Sequence, residues 1–266
     1  MVYGYRAIAA AVSMQTRVTL RPYQGATHLA RTFLRDERVE RAVAMALPPT
    51  GWAAEIETEL PVGRGMGSSA ALSVALVRVA AQLEDQTLDF ATEHERAFML
   101  ERIFHGNPSG LDHAVSALGG AVIYSKGHGP EPVAMPPTPF VVLDTGVAGD
   151  TAALVAGVAA RRPSIDASLE RLGELVEQAV PALAEPSVLG ELMNEAQEHL
   201  AAIGVSTPAI DQLVALARSH GAAGAKLSGA GGGGVVIALT PDGGDALMAA
   251  ARRCGMRSFR CILPAR

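Results

Sequence analysis

Apolar residues follow two spacings along this chain, and each spacing predicts a different kind of element. Alternating or β-branched stretches at 7–20 and 53–60 predict strands in the early part of the chain. The stretch at 69–83 is rich in Ala, Leu and Val and lacks Gly and Pro, which predicts a buried helix. A second helix is predicted over 92–104, where apolar side chains stand among charged ones. The first half of the chain therefore mixes strands and helices.

The second half is predicted to be richer in helices. Short apolar runs at 121–124 and 140–143 predict strands, and the proline-rich segment between them, 127–139, is the best candidate for a domain boundary. We therefore expect one domain over residues 1–138 and a second over 139–266. The elements predicted after the boundary are helices at 151–161, 165–180, 188–203 and 207–219, a strand at 235–239, and a final helix and strand.

Composition and charge narrow the classes of function. Of 266 residues, 49% are apolar but only 4% aromatic, so the core is expected to consist mainly of small and aliphatic side chains, as suits an enzyme of mixed helix and sheet. The net charge is -5 and no basic run occurs, which argues against a nucleic-acid partner. No window of about 18 uninterrupted apolar residues occurs, so we expect no membrane partner. The two cysteines, Cys254 and Cys261, lack the spacing of a zinc site, and a reducing cytoplasm fits them best.

The segment PVGRGMGSSAA at 61–71 lies between a predicted strand and a predicted helix. Its three glycines allow backbone N–H groups to close around an anion, and the start of the helix adds a partial positive charge. Ser68 and Ser69 add hydroxyl groups that can bind phosphate or the magnesium ion that accompanies it. No lysine follows the glycines, so this is not a Walker loop. The alternative is a tight turn between strand and helix with a serine cap.

Two carboxylates bracket the segment that follows the second predicted helix. Glu101 lies near the end of that helix, and Asp112 follows a turn rich in glycine and proline. A kinase needs one carboxylate to hold magnesium and another beside the acceptor hydroxyl. Glu101 and Asp112 could divide these tasks. The alternative is that both are ordinary solvated or capping groups.

A second glycine loop occurs late in the chain, in KLSGAGGGG at 226–234. Five of the six residues at 229–234 are glycine, which permits very close approach of the backbone to a phosphate or to the first glycine loop. A flexible hairpin is the alternative. Two separate glycine loops in one chain favour nucleotide binding.

These motifs together resemble a known family. Residues 61–71 and 226–234 are similar to the second and third signature motifs of the GHMP kinases, and HGNPSGLDHAVSALGG at 105–120 resembles the segment typical of the mevalonate kinases in that family. The resemblance implies an α+β fold, with an N-terminal domain like ribosomal protein S5 and a ferredoxin-like C-terminal domain. It also implies ATP- and Mg²⁺-dependent phosphorylation of the 5-hydroxyl group of mevalonate, a small-molecule substrate, in isoprenoid biosynthesis.

The resemblance further implies roles for individual residues. Asp112 would be the catalytic base, and Glu101 and Ser69 would hold Mg²⁺. Thr151 and His105 would lie near the substrate, and Ser68 would contact phosphate. The residues implied in ATP binding are Gly63, Arg64, Gly65, Met66, Gly67, Ser68, Ser69, Ala70, Gly229, Ala230 and Gly231.

The chain departs from the family pattern in three places. The first family motif, a Pro-Gly-Lys stretch followed by Gly-Glu-His, is expected just before Val2 and is absent, so we expect a truncated start and poor turnover. Gly149 stands where mevalonate kinases commonly carry Arg, and His113 stands where Asn is usual. We therefore keep two alternatives: another acceptor (phosphomevalonate, homoserine or a sugar), or a catalytically silent nucleotide-binding protein. A homodimer is a separate expectation.

Overall fold

The computed structural model describes residues 4–32, 36–106, 108–125 and 127–263, and strands and helices are mixed throughout. The strands are β1 (Ala7–Ala10), β2 (Thr16–Ala26), β3 (His28–Thr32), β4 (Thr50–Thr58), β5 (Ala121–Ser125), β6 (Gly129–Val133), β7 (Thr138–Asp144), β8 (Gly224–Ser228), β9 (Val235–Leu239) and β10 (Arg257–Leu263). The helices are α1 (Glu37–Ala46), α2 (Ser68–Leu83), α3 (Phe90–His105), α4 (Leu111–Leu118), α5 (Thr151–Ala160), α6 (Asp166–Ala179), α7 (Pro186–Ala202), α8 (Pro208–Ser219) and α9 (Asp245–Arg253). Within the described residues, no helix combines the length and the apolar character needed to cross a bilayer.

The chain forms two compact units. The N-terminal unit holds Met14–Val62 and Gly67–Gly119. The C-terminal unit holds Gly63–Met66 together with the described residues before Met14 and after Gly119. The domain boundary expected after residue 138 stays a prediction, and the contacts group β5 and β6 with the elements that follow them. The region near Val2, where the first family motif was expected, lies outside the described residues.

The N-terminal unit is a three-stranded sheet covered by helices. Its strand order is β2-β4-β3, with β2 antiparallel and β3 parallel to β4. Parallel pairing requires a crossover, and α1 provides it between β3 and β4. Helix α2 contacts β2, α3 and α4, so it is surrounded by protein on several sides. This explains why its sequence is apolar over most of its surface, with Leu76 fully buried.

The C-terminal unit contains a four-stranded antiparallel sheet of order β10-β7-β9-β8. Along the chain its elements run strand, helices, two strands, helix and strand, which is the ferredoxin-like arrangement implied by the family resemblance. Strands β7 and β9 are central and read as nearly continuous apolar runs because both faces are covered. Helices α7 and α8 pack against β8 and close the core on one face.

The proline-rich segment 127–139 is not simply a link between domains. Residues Gly129–Val133 form strand β6, which pairs with β5 in a small sheet of order β1-β5-β6. Pro130 and Pro132 stand in this strand, and proline is tolerated there because an edge strand leaves some of its N–H positions unpaired. The sequence analysis did not predict this strand, because its position at a sheet edge, which only the fold defines, overrides the usual effect of proline.

Most predicted helices are confirmed within two residues, but local patterns missed other elements. The single strand-like stretch 7–20 is divided into β1 and β2, which belong to different sheets. Strand β3 and helix α4 had no clear apolar spacing in the sequence, and the end of β8 lies within the glycine motif at 226–234. These short elements are stabilised by tertiary pairing and not by their own periodicity.

Gly190 of α7 provides a test of the close packing between this helix and β8. The Cβ of an alanine at this position would lie 2.5 Å from the carbonyl oxygen of Ala223, and Gly224 meets Gly190 from the other side. Alanine normally stabilises a helix interior relative to glycine by about 1 kcal/mol. Here we expect Gly190→Ala to lower the free energy of unfolding by about 1–3 kcal/mol, because the clash requires backbone movement. Urea unfolding followed by circular dichroism measures the change.

Gly157→Ala in α5 is the matched control. Nothing lies within 4 Å of a Cβ at Gly157, so this variant should gain up to about 1 kcal/mol of stability from helix propensity alone. Equal stabilisation by the two substitutions would contradict the close approach of α7 to β8.

Candidate active site

The start of helix α2 lies beside Asp112 in the N-terminal unit. Gly67 caps the helix with a φ of +66°, a left-handed conformation that favours glycine. A Cβ at Gly67 would lie 3.6 Å from the Cβ of Asp112. The first turn of α2 therefore offers its free N–H groups, with Ser68 and Ser69, next to a carboxylate.

Asp112 lies in the first turn of helix α4, which begins directly after the turn rich in glycine and proline. The helix begins after Gly110, whose φ of +94° again requires the left-handed region. Asp112 is exposed on one side, while the protein crowded around its other sides raises the pKa of its carboxyl group. The positive charge of His105 acts in the opposite direction and lowers this pKa. The position of Asp112 is thus set by a helix that the sequence pattern did not reveal.

Glu101 is the buried carboxylate of this cluster. It projects from α3 with only 2% of its surface exposed, and it accepts hydrogen bonds from Ser69 and from the Ser73 hydroxyl, the latter at 3.3 Å. The pKa of Glu101 is raised to about 7. Burial is the largest cause; the hydrogen bond from Ser69 acts in the opposite direction, and the nearby charge of Asp112 adds to the rise. A buried carboxylate in this environment favours a positive partner.

Ser73 was missed by the sequence analysis. It lies one helical turn after Ser69 on α2 and is fully buried, so its hydroxyl has Glu101 as a partner in place of water. The spacing of four residues places Ser69 and Ser73 on the same helix face. A serine at that spacing in an otherwise apolar helix is a signal that would have identified it.

His105 ends α3 close to the same cluster. Its Nε2 atom lies 3.1 Å from the Ser69 hydroxyl and 4.0 Å from a carboxylate oxygen of Glu101. About half of its side chain is exposed to solvent. The structure thus brings His105 together with the predicted metal-binding residues, and its contact with substrate stays a prediction.

His113, the residue after Asp112, is part of the core. It is fully buried, with its ring 4.3 Å from that of His94 and 5.5 Å from that of Phe98, measured between centroids. Burial, and secondarily the charge of His94, lowers the pKa of His113 to about 4. His113 is therefore neutral at physiological pH and supports the start of α4 by packing.

The donors around Glu101 fit a magnesium ion. Magnesium prefers oxygen ligands and is usually held by one or two carboxylates together with substrate phosphates. Ser69, Glu101 and Asp112 provide such oxygens at the start of α2, where phosphates are also favoured. Across the described residues, no group of three or more His, Cys, Asp or Glu side chains is arranged to hold a metal alone. The donor set therefore suits a cation shared with phosphate.

The glycine loops of the C-terminal unit lie against each other. A Cβ at Gly65 would stand 3.3 Å from the carbonyl oxygen of Ser228, and one at Gly234 would stand 2.8 Å from the carbonyl oxygen of Arg64. The later loop connects β8 to β9, and its backbone N–H groups at Gly232 and Gly234 donate to carbonyls elsewhere in the unit at 2.8 and 2.7 Å. The loop is a hairpin connection, as the alternative interpretation held, but these bonds and contacts fix its path.

Thr151 begins helix α5 near the later glycine loop. The Asp150 carboxylate caps this helix by accepting the N–H of Ala153 at 3.0 Å, and Thr151 is exposed. A Cβ at Gly149 would clash with the carbonyl oxygen of Gly231. The backbone of the loop therefore occupies the space that a side chain at Gly149 would need.

The predicted site residues thus fall into two sets. Ser68, Ser69, Ala70, Glu101, His105 and Asp112 belong to the N-terminal unit, together with Gly67. Gly63–Met66, Gly229–Gly231 and Thr151 belong to the C-terminal unit. The peptide bond between Met66 and Gly67 joins the two sets directly. The roles assigned to these residues in ATP, metal and substrate binding stay predictions.

Comparison with known proteins gives a consistent result. A family model described as the GHMP kinases N terminal domain matches residues 29–120, and one described as GHMP kinases C terminal matches residues 179–255. The mevalonate kinase of Pyrococcus abyssi is 39% identical over 214 residues, which are 76% of this chain and 64% of that protein. The mevalonate kinase of Homo sapiens is 39% identical over 216 residues, which are 70% of this chain and 54% of that protein. The chain thus spans less than two thirds of these relatives.

Solved structures agree in fold. A mevalonate kinase of L. major, in complex with R-mevalonate, is similar with a TM-score of 0.87 and 27% identity, covering 99% of this chain and 91% of that one. The mevalonate kinase of Methanococcus jannaschii matches with a TM-score of 0.90 and 22% identity, covering 99% of this chain and 93% of that one. The α+β fold class expected from the sequence is confirmed.

The pKa of Glu101 predicts how stability depends on pH without metal. In the folded protein this pKa is about 7, above the ordinary 4.5, so the folded state binds the proton more tightly than the unfolded chain. Stability should therefore fall as the pH rises from about 4.5 to about 7 and then level off. Glu101→Gln removes this penalty, and we expect it to stabilise the metal-free protein at pH 8 by on the order of 2 kcal/mol.

Urea unfolding in EDTA at pH 8 and at pH 4.5 provides the measurement. Most of the gain should be lost at the lower pH, where the parent carboxyl group is protonated in the folded state and about half protonated in the unfolded chain. Glu191→Gln, at an exposed position of α7, is the control and should change stability little at either pH. A Glu101→Gln variant no more stable than the parent at pH 8 would show that burial does not penalise this carboxylate.

Proposed function

Because the chain belongs to the GHMP kinase family, we propose that it transfers the γ-phosphoryl group of ATP to the 5-hydroxyl group of mevalonate. The observation that carries this proposal is the convergence of Ser69, Glu101 and Asp112 at the start of α2. The relatives named mevalonate kinase support the choice of acceptor. The product, 5-phosphomevalonate, belongs to isoprenoid biosynthesis.

In this proposal the start of α2 binds phosphates of ATP, and the two glycine loops of the C-terminal unit are also proposed to contact the nucleotide. The first turn of α2 presents backbone N–H groups and the positive end of the helix dipole. Ser68 adds a hydroxyl donor there, and Gly63–Met66 and Gly229–Gly231 let the backbone approach the nucleotide closely. Positioning of this kind is the main contribution that a protein makes to phosphoryl transfer.

Ser69 and Glu101 are the proposed ligands of Mg²⁺, which would neutralise charge on the phosphate oxygens when bound. Ser73 keeps the Glu101 carboxylate in one orientation through its hydrogen bond of 3.3 Å. The hydroxyl of Ser69 already contacts both Glu101 and His105, so its rotamer is restrained. The donors are therefore ordered before the nucleotide arrives, which lowers the cost of binding.

Asp112 is the proposed general base. Its carboxylate accepts the proton of the acceptor hydroxyl while that oxygen forms a bond to the γ-phosphorus. The bond between the γ-phosphorus and the bridging oxygen breaks, and ADP leaves with the electron pair. Burial raises the pKa of Asp112, which favours acceptance of a proton, and the interaction with His105 partly opposes this rise. His105 and Thr151 are the proposed contacts to mevalonate.

Another GHMP kinase activity is the second candidate. Gly149 replaces an arginine common in mevalonate kinases, and this difference lies two residues before the proposed substrate residue Thr151. The acceptor could then be phosphomevalonate, homoserine or a sugar. A homodimer and a cytoplasmic location also stay predictions.

An acceptor panel with coupled detection of ADP tests the proposed function. Mevalonate, phosphomevalonate, homoserine and galactose are each supplied with ATP and Mg²⁺, and the mevalonate reaction is repeated with excess EDTA. We expect the highest kcat/KM with mevalonate and loss of turnover in EDTA. Faster turnover of another acceptor would assign that activity instead, and ATP binding without ADP release on any acceptor would contradict phosphoryl transfer.

Asp112→Asn tests the general base. We expect kcat on mevalonate to fall by about 10²- to 10⁴-fold, because the amide cannot take the proton. The Kd for ATP, measured by calorimetry, should stay within about twofold, since the proposal places Asp112 at the acceptor hydroxyl. Asp245→Asn is the control because Asp245 also lies in the first turn of a helix, α9, and is exposed. A variant at Asp112 that retains the parent kcat would exclude the base role.

A further inference from the structure

Asp144 is a buried carboxylate that the proposed reaction does not use. It ends strand β7, and only 1% of its side chain is exposed. One carboxylate oxygen, Oδ1, accepts the N–H of Gly146 at 2.8 Å. The other, Oδ2, is buried and has no hydrogen-bond partner among the described residues. A buried charge of this kind requires compensation by an opposite charge.

Two arginines compensate the charge of Asp144. The Nε atom of Arg64 lies 3.5 Å from Oδ1, and an Nη atom of Arg257 lies 3.8 Å from Oδ2. The two pairs differ in exposure, since 22% of the Arg64 side chain is accessible and 69% of the Arg257 side chain. Solvent screens the exposed pair more strongly, so the interaction with Arg64 is the stronger of the two.

Arg64 lies within the first glycine loop, between Gly63 and Gly65. Its backbone carbonyl packs against Gly234 of the later loop, so both its main chain and its side chain contact the C-terminal unit. The guanidinium group makes no hydrogen bond within the described residues, so its N–H donors are free for an anion. The ion pair with Asp144 nevertheless orients the group. This combination is suited to binding phosphate.

We propose that Asp144 is a positioning residue that anchors the first glycine loop to the end of β7 through Arg64. The anchor orders the loop before the nucleotide binds and directs the arginine by pairing with its Nε side. Ordering of the loop in advance lowers the entropic cost of binding phosphates. The inference rests on the proposed function for the identity of the ligand, but the anchor itself is a property of the free protein.

Hydrogen exchange of the free protein tests the anchor without any nucleotide. Asp144→Asn preserves the shape of the side chain and the acceptor for Gly146 but removes the charge. We expect amides in a peptide spanning residues 61–67 to exchange at least about threefold faster in this variant, because the loop opens more often. Arg64→Gln should produce the same increase. Arg257→Gln is the control and should leave exchange in this peptide unchanged.

The result does not depend on a single variant. Unfolding curves show first whether Asp144→Asn folds, and if it does not, Arg64→Gln carries the test, since it changes a loop side chain. If amides over 61–67 exchange at the parent rate in the folded Asp144→Asn variant, the anchor is overturned. If Asp144→Asn does not fold, the same result in Arg64→Gln overturns it.

A double-mutant cycle tests whether the anchor acts on the nucleotide through Arg64. The Kd for ATP is measured by calorimetry in the parent, Asp144→Asn, Arg64→Gln and the double variant. We expect Asp144→Asn to weaken ATP binding by about threefold to thirtyfold, which lies within the range of coupling energies between contacting residues. The same substitution should have no further effect when Arg64 is already replaced. An equal effect of Asp144→Asn in both backgrounds would show that it acts elsewhere and would overturn the inference. A parent protein that binds ATP but phosphorylates no acceptor would refute the proposed function and leave this result standing.

Discussion

Close approach of neighbouring atoms to the main chain, permitted by glycine, is the constraint on which the candidate residues of each unit depend. Gly67 lets the start of α2 lie beside Asp112, and Gly65 and Gly234 let the two glycine loops of the C-terminal unit touch. Side chains at these positions would meet neighbouring atoms or require an unfavourable φ. The glycines therefore place the chemically active side chains, although they carry no functional group themselves.

Charge provides the second constraint. Glu101 is buried with two serine hydroxyls and a nearby carboxylate, and Asp144 is buried beside Arg64 of the first glycine loop. The protein compensates the negative charge of each carboxylate only in part, so each carboxylate favours a nearby cation or polar group. In the proposed reaction, the preference of Glu101 favours binding of Mg²⁺ in the N-terminal unit, and Asp144 orients Arg64 for binding phosphate.

Particular residues show how far local pattern predicts this structure. The long apolar stretch of α2 and the four helices between residues 151 and 219 were predicted because each buries one face or more at helical spacing. The helix that carries Asp112 was missed because α4 is short, so its periodicity covers barely two turns, and it follows two glycines and a proline. Strand β6 was missed because proline is unfavourable in most strands, and only its place at a sheet edge makes it acceptable.

The sequence by itself determined the family and the mixed fold, and it provided the hypotheses about the site, because glycine loops, carboxylates and serines keep their spacing along the chain whatever surrounds them. Only the tertiary structure decided which of these groups are buried and which touch. Glu101, Ser69 and Ser73 meet across two helices, and Asp144 meets Arg64 from 80 residues away in the chain, counted from their positions. Solvent exclusion and distance set the pKa of a carboxylate and the strength of an ion pair, and neither quantity is encoded in local spacing.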